Sequence, residues 1–120
     1  MNQNQAVKKE IQIDGFRTVF YFEHGKDFYH APERHNFWEM LYVDRGRIVA
    51  VTDGIGSVME EGWAIFHEPN EIHAHVSNRK DANNMFVVTF WCDSPAMDFF
   101  RKKTFQINKE QRKLMQLFIQ

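Results

Sequence analysis

The run His35-Asn36-Phe37-Trp38-Glu39, followed by Gly46, joins a histidine and a carboxylate at even spacing to a glycine-punctuated hairpin signal. Side chains alternate between the faces of a strand, so His35 and Glu39 leave one face together with Phe37, Leu41 and Val43. Trp38, Met40 and Tyr42 take the other. A strand apolar on both faces is covered on both, as in a closed barrel or a covered sandwich. Two polar groups on such a face satisfy each other or meet a ligand.

Strand-like runs recur around this one at short intervals: Phe16 to Glu23, Phe37 to Asp44, Arg47 to Thr52, Trp63 to His67, Ile72 to Ser77 and Met85 to Cys92. Asp14-Gly15 marks a turn before the first. Asp44-Arg45-Gly46 suits a tight hairpin, Asp53-Gly54 is a type I′ signal, and Glu60-Glu61-Gly62 and Pro69-Asn70 are further breaks. This spacing predicts an all-β sandwich or barrel. After Cys92 the pattern changes. Ser94-Pro95-Ala96-Met97-Asp98 supplies a cap residue, a proline at the first helical position and an acid behind it, predicting a helix to about Lys103. Asn108-Lys109-Glu110-Gln111 repeats that logic. Leu114, Leu117 and Phe118 then share a helical face, with Met115 and Ile119 beside it, and are the residues expected to pack on the barrel or on a second subunit. No glycine, asparagine or proline ends this helix before Gln120, which predicts a parent chain that continues. The expected organisation is an arm at 1–15, a barrel at 16–93 and a helical extension at 94–120.

At 120 residues the chain fits one domain. A formal net charge of −1, with neither sign in a long block, provides no surface for neutralising phosphates, so direct nucleic-acid binding by this chain is not expected. Cys92 is the only cysteine; no internal disulfide can form, the pattern fits a reducing compartment, and cytoplasm is the expected location. The same thiol reads as a small buried hydrophobe rather than a redox centre. Met1 to Glu10 is polar, without the apolar stretch of a signal peptide, and no run approaches membrane-spanning length. Twelve Phe, three Trp and three Tyr suit both bulky strand faces and apolar pocket walls.

Glu33 and His35 stand two apart, as do His73 and His75, so each pair projects from one strand face with Cα atoms roughly 7 Å apart. With Glu39 they form a candidate set for iron, manganese, nickel or zinc. An ideal strand would hold Glu39 roughly 13 Å from His35, so a shared ion requires the chain to bend there. The alternative for His73 and His75 is a strand-end histidine bonded to backbone or water. Trp91, near the end of an apolar strand, is the aromatic candidate for a pocket wall.

His35, Glu39 and Gly46 resemble the second half of the first cupin motif, and Gly62, Pro69 and His73 resemble the second more loosely. More specifically, the chain is similar to the N-terminal sensor domain of AraC-type transcription regulators. The likeness rests on His35-Asn36-Phe37-Trp38-Glu39, Arg45-Gly46, Pro69-Asn70-Glu71-Ile72-His73, Phe86-Val87-Val88-Thr89-Phe90 and the closing helices, over about residues 28 to 120. It implies a cupin-like double-stranded β-helix, a jelly-roll barrel followed by two helices. It also implies a non-enzymatic, homodimeric effector-binding domain that reaches DNA only through a helix-turn-helix domain outside this chain. His35, Glu39, His73 and Trp91 would line the pocket for a sugar or other small metabolite, and no cofactor is expected. Metal-binding cupins usually open the first motif with His-x-His; here Glu33 takes the first position, and the second motif lacks its glycine, with Glu71 in the tract. The rival reading is a metal-dependent cupin enzyme, a dioxygenase or isomerase, with a divalent transition metal on Glu33, His35, Glu39, His73 and His75.

Overall fold

The computed structural model describes residues 11–119, apart from the Phe118 side chain. Among the described residues, eight strands precede or interrupt the helical segments: β1 (Gly15–His24), β2 (Tyr29–Glu33), β3 (Trp38–Thr52), β4 (Ile55–Glu60), β5 (Trp63–His67), β6 (His73–Val76), β7 (Asn83–Trp91) and β8 (Thr104–Gln106). A 3-10 helix covers Pro95–Phe100 and one α-helix, α1, covers Lys109–Ile119. One sheet runs β1-β7-β3-β5-β8; β3 also pairs with β4 and β6, and β6 pairs with β2, all antiparallel.

Both sheets share β3. The expected hairpin at Asp44-Arg45-Gly46 is instead a bulge within a continuous strand of 15 residues. Before it, β3 pairs with β5 and β7; after it, with β4 and β6. The extra residue also reverses which positions face inward. Leu41 and Val43 enter the space between the sheets before the bulge, and Ile48 and Ala50 after it, joined by Met59, Ile65, Met85 and Val87. Gly46 permits the bend because its backbone is left-handed, with φ of 76°.

The outer face of β3 is buried too, against the C-terminal extension. Trp38, Tyr42, Phe86, Val88 and Phe90 pack with Met97, Phe100, Ile107, Met115 and Ile119. Asp44, at the bulge, accepts hydrogen bonds from Tyr21 at 2.6 Å and Gln116 at 2.7 Å, tying β1 and α1 to the bend. The coverage inferred for both faces of this strand is therefore present.

The extension differs from expectation in three ways. Its first helix is a 3-10 segment that stops at Phe100 rather than near Lys103. The chain next forms β8, which pairs with β5. On α1, Asn108 and Gln111 exchange side chain-to-backbone hydrogen bonds of 2.8 and 3.0 Å as the capping signal implied, but Leu114 and Leu117 point outward, 59% and 70% exposed. Met115 and Ile119 contact the barrel instead, because the helix presents the neighbouring stripe of its surface. Phe118's side chain and residues 1–10 of the expected arm lie outside the described residues. Leu114→Ser or Leu117→Ser should shift the stability of the isolated chain by less than about 0.5 kcal/mol, whereas Met115→Ala should cost about 2 kcal/mol. Urea unfolding of the three variants checks this, and equal costs would contradict the packing assignment.

Candidate metal centre and ligand cavity

The described residues gather the polar cluster at the inner end of the barrel from five places in the chain. Glu33 comes from β2, His35 from the bend before β3, Glu39 from β3, His67 from β5, and His73 and His75 from β6. Strand pairing sets their proximity. Glu39 lies opposite His67, and Glu33 lies opposite His73. His35 precedes the strand, where the chain turns, so its Nε2 comes within 3.5 Å of Glu39 Oε1. The bend that a shared ion requires is present.

Glu39 is 5% exposed and sits at the middle of the group. Its Oε2 is 3.4 Å from His73 Nε2 and 3.7 Å from His75 Nε2, while Glu33 Oε1 is 3.7 Å from His35 Nε2 and 3.8 Å from His73 Nε2. Burial works to raise the Glu39 pKa, but the imidazoles of His35 and His73 outweigh it and hold the carboxyl well below the usual range. Burial works to lower the pKa of His73, and the Glu39 charge outweighs it in turn, raising it.

The histidine tautomers follow from their neighbours. His35 Nδ1 donates to the Phe37 carbonyl at 3.1 Å, His73 Nδ1 to the Glu71 carbonyl at 3.0 Å, and His67 Nδ1 to the buried Glu71 carboxylate at 2.7 Å. Carbonyl and carboxylate oxygens only accept, so each Nδ1 carries the proton, and each ring when neutral keeps a lone pair on Nε2. His35 Nε2, His73 Nε2 and Glu39 Oε2 are buried and lack a hydrogen-bond partner. Buried polar atoms left unpaired are costly, and here they converge. Glu33, His35, Glu39 and His73 bring one ligand atom each to within 4.8 Å of one another. Two imidazoles and two carboxylates with oriented rings could hold a divalent transition metal, the possibility that the sequence leaves open beside its expectation of no cofactor.

His75 is enclosed beside His67, and burial pushes its pKa down to about 3. An unfolded chain would take up a proton at His75 below its ordinary 6.5 that the folded chain refuses until about 3, so this residue lowers stability as pH falls through that window. His73, with a raised pKa, acts in the opposite direction. The readout is therefore a difference: in metal-stripped protein, the melting temperature should fall more steeply between pH 7 and 4 than it does in His75→Leu. Parallel curves would contradict the burial of a neutral His75.

A cavity of about 230 Å³ opens from this cluster, reaching Glu33, His35, Glu39 and His75. Phe20, Phe22, Phe28, Met85 and Val87 make its wall. Residues of β1 and β2, strands not paired with each other among the described residues, both line it. Arg17, which also lines the cavity, stacks its guanidinium 4.4 Å from the Phe37 ring centre. Trp91 stays out. It shares the inward parity of Met85 and Val87 but lies beyond the cavity, 45% exposed, where Phe37 meets it edge-on while stacking on His35 at 3.9 Å. Cys92 is half-buried, its thiol donating to the Gln12 carbonyl at 3.1 Å.

Sequence reasoning placed Glu33, His35, Glu39, His73 and His75 in the cluster and missed His67, Glu71 and Arg17. The four-residue spacing of His67 and Glu71 was visible, but only strand register sets His67 opposite Glu39. No helix among the described residues is long and apolar enough to cross a membrane.

No protein-family model matches the chain, and no curated protein matches its sequence. Solved structures do. A predicted oxalate decarboxylase from Thermotoga maritima has a TM-score of 0.60 at 14% identity, over 76% of this chain and 75% of that one. A cupin domain of an XRE family transcriptional regulator from Enterobacter cloacae has 0.55 at 10%, over 61% and 79%. ToxT from Vibrio cholerae, with an unsaturated fatty acid bound, has 0.60 at 8%, over 87% of this chain and 46% of that one. With the bent shared strand and the antiparallel strand order, these likenesses show the fold of a cupin β-barrel, which in this chain is followed by two short helical segments.

Proposed function

We propose that this chain is the small-molecule-sensing domain of an AraC-type transcription regulator, cytoplasmic and homodimeric, acting on DNA through a domain outside it. The observation that carries the sensing role is the cavity itself: an apolar wall leading to a floor of inward-turned histidines and carboxylates. Such a chamber suits a small ligand with an apolar body and a polar or anionic head. Arg17 offers the head a cation, since its guanidinium has no carboxylate partner among the described residues and the residue lines the cavity. The motif likeness supports the regulator assignment, as do two comparisons: one similar structure is a regulator's cupin domain, and another, ToxT, has a fatty acid bound.

Glu33, His35, Glu39 and His73 would hold a divalent metal, which would supply a Lewis-acidic anchor for the ligand's head. The chain's own residues give the coupling. A ligand against Phe20 and Phe22 touches β1, an edge strand paired only with β7 among the described residues. The residues just before β1 are bonded to the end of β7 and the chain that leads into the extension: Asp14 N–H donates to the Trp91 carbonyl, Gln12 N–H to the Ser94 hydroxyl, and Asp93 N–H to the Asp14 carboxylate. Fixing β1 would bias how the extension is held, a population shift that requires only differential affinity for the two placements.

The second reading, a metal-dependent enzyme such as a dioxygenase or isomerase, is favoured by one feature: three of the four candidate ligands, Glu33, His35 and Glu39, line the cavity. Metal analysis, light scattering and a thermal-shift screen of sugars, short carboxylates and fatty acids on the same protein test the proposal. A dimer whose melting temperature rises with one ligand class, the ligand itself unchanged after incubation, supports sensing. Conversion of that ligand to product would overturn it in favour of the enzyme.

A further inference from the structure

The cluster holds more donors than one ion uses. Beyond Glu33, His35 and His73, the atoms of Glu39, His67 and His75 form a second group lying within 4.8 Å of one another. His67 Nε2 is 3.0 Å from His75 Nε2, and His75 Nε2 is 3.7 Å from Glu39 Oε2. Ligands about 2.0–2.1 Å from a tetrahedral ion stand roughly 3.4 Å from each other, and these separations bracket that value. Two imidazole nitrogens facing each other can share one proton at most, whereas a cation between them satisfies both lone pairs.

The surroundings of His67 suit a ligand. Its ring is fully buried, and Nδ1 donates to Glu71, itself 5% exposed and placed behind it. A histidine whose far nitrogen is tied to a buried carboxylate, with the near one turned to other donors, is the arrangement by which proteins orient a metal-bound imidazole. Glu71 Oε2 is buried without a hydrogen-bond partner, 3.9 Å from the Lys102 ammonium, so the hydrogen bond this carboxylate makes is the one to His67. Glu39 borders both groups: Oε1 lies 3.5 Å from His35 Nε2, and Oε2 lies between His73 Nε2 at 3.4 Å and His75 Nε2 at 3.7 Å.

We propose that Glu39, His67 and His75 form a second divalent-cation position beside the first, with the Glu39 carboxylate shared and Glu71 orienting His67. It rests on the reading of the cluster as a metal centre. His75 and Glu39 border the cavity, which supplies the route of entry.

The test uses chelator-stripped protein titrated with Zn(II) and Co(II), with metal per chain measured by plasma mass spectrometry after gel filtration and Co(II) absorption followed in parallel. Two equivalents are expected for the wild type, one for His67→Gln and one for His75→Asn, each checked for folding by circular dichroism. Glu71→Gln should weaken the second equivalent about 10- to 100-fold and leave the first in place. One equivalent in the wild type, or a second that persists unchanged in His67→Gln, would overturn the proposal while leaving the first centre standing. No bound metal at all would overturn both, and the wild-type titration distinguishes these outcomes without any variant.

Discussion

Gly46→Val should leave little folded protein, with a loss of roughly 4 kcal/mol or more. Two costs combine. The residue sits at φ of 76°, which a β-branched side chain resists by roughly 1–2 kcal/mol. A Cβ there would also collide with the Ala82 carbonyl oxygen and come within 3.1 Å of the Ala82 carbonyl carbon and Asn83 Cα. Those are backbone atoms and cannot rotate away. Gly46 pairs with Asn83 at the bend that carries β3 from one sheet to the other, so displacing it pulls the sheets apart. Gly54 is the internal comparison. Its φ is 83° but a Cβ would meet open space, so Gly54→Val should show the conformational cost alone. Urea unfolding of both variants decides the matter: similar losses would mean that close approach at Ala82 contributes nothing.

Glu39→Gln should reduce zinc affinity at least about 100-fold, the largest effect expected of any residue in the cluster. The substitution keeps the shape and removes the charge. Among the described residues, Glu39 is the one carboxylate within 4 Å of His35, His73 and His75 together, so its loss removes the anionic ligand from the centre of the donor set. Glu33→Gln is the milder companion at about 10-fold, because its side chain is 44% exposed and water can replace part of its contribution. In metal-free protein Glu39→Gln should also lower the His73 pKa, since the Glu39 carboxylate leads the groups that raise it, ahead of the Glu71 carbonyl and Glu33. Calorimetric zinc titration and NMR titration of the histidine ring signals measure the two effects. Unchanged zinc binding would remove Glu39 from the centre and with it the shared carboxylate.

Much of the fold was written locally. Alternation in Trp38 to Val43 declared a strand buried on both faces, Asp53-Gly54 and Gly62 marked turns that the chain makes, and Asn108 with Gln111 announced the cap of α1. These depend on the conformational preferences of a few adjacent residues, which any stretch of chain carries with it. The strands β2, β4 and β8 were not among the expected runs: five and three residues of β2 and β8 carry too little periodicity and pair with distant partners, and β4 is a six-residue edge strand that pairs only with β3 among the described residues.

The candidate centre divides the same way. Glu33, His35, Glu39, His73 and His75 were nameable from even spacing and residue chemistry, which are properties of the sequence alone. That His67 belongs with them, that Trp91 does not, and that Met115 rather than Leu114 meets the barrel were decided by the tertiary structure. The reason is register. One residue of bulge at Asp44–Gly46 reverses the inward face of β3, and one pairing sets Glu39 opposite His67, and neither is carried by the residues in question. Amino-acid order specified which groups could act and which way each strand alternates; long-range pairing alone determined which of them meet.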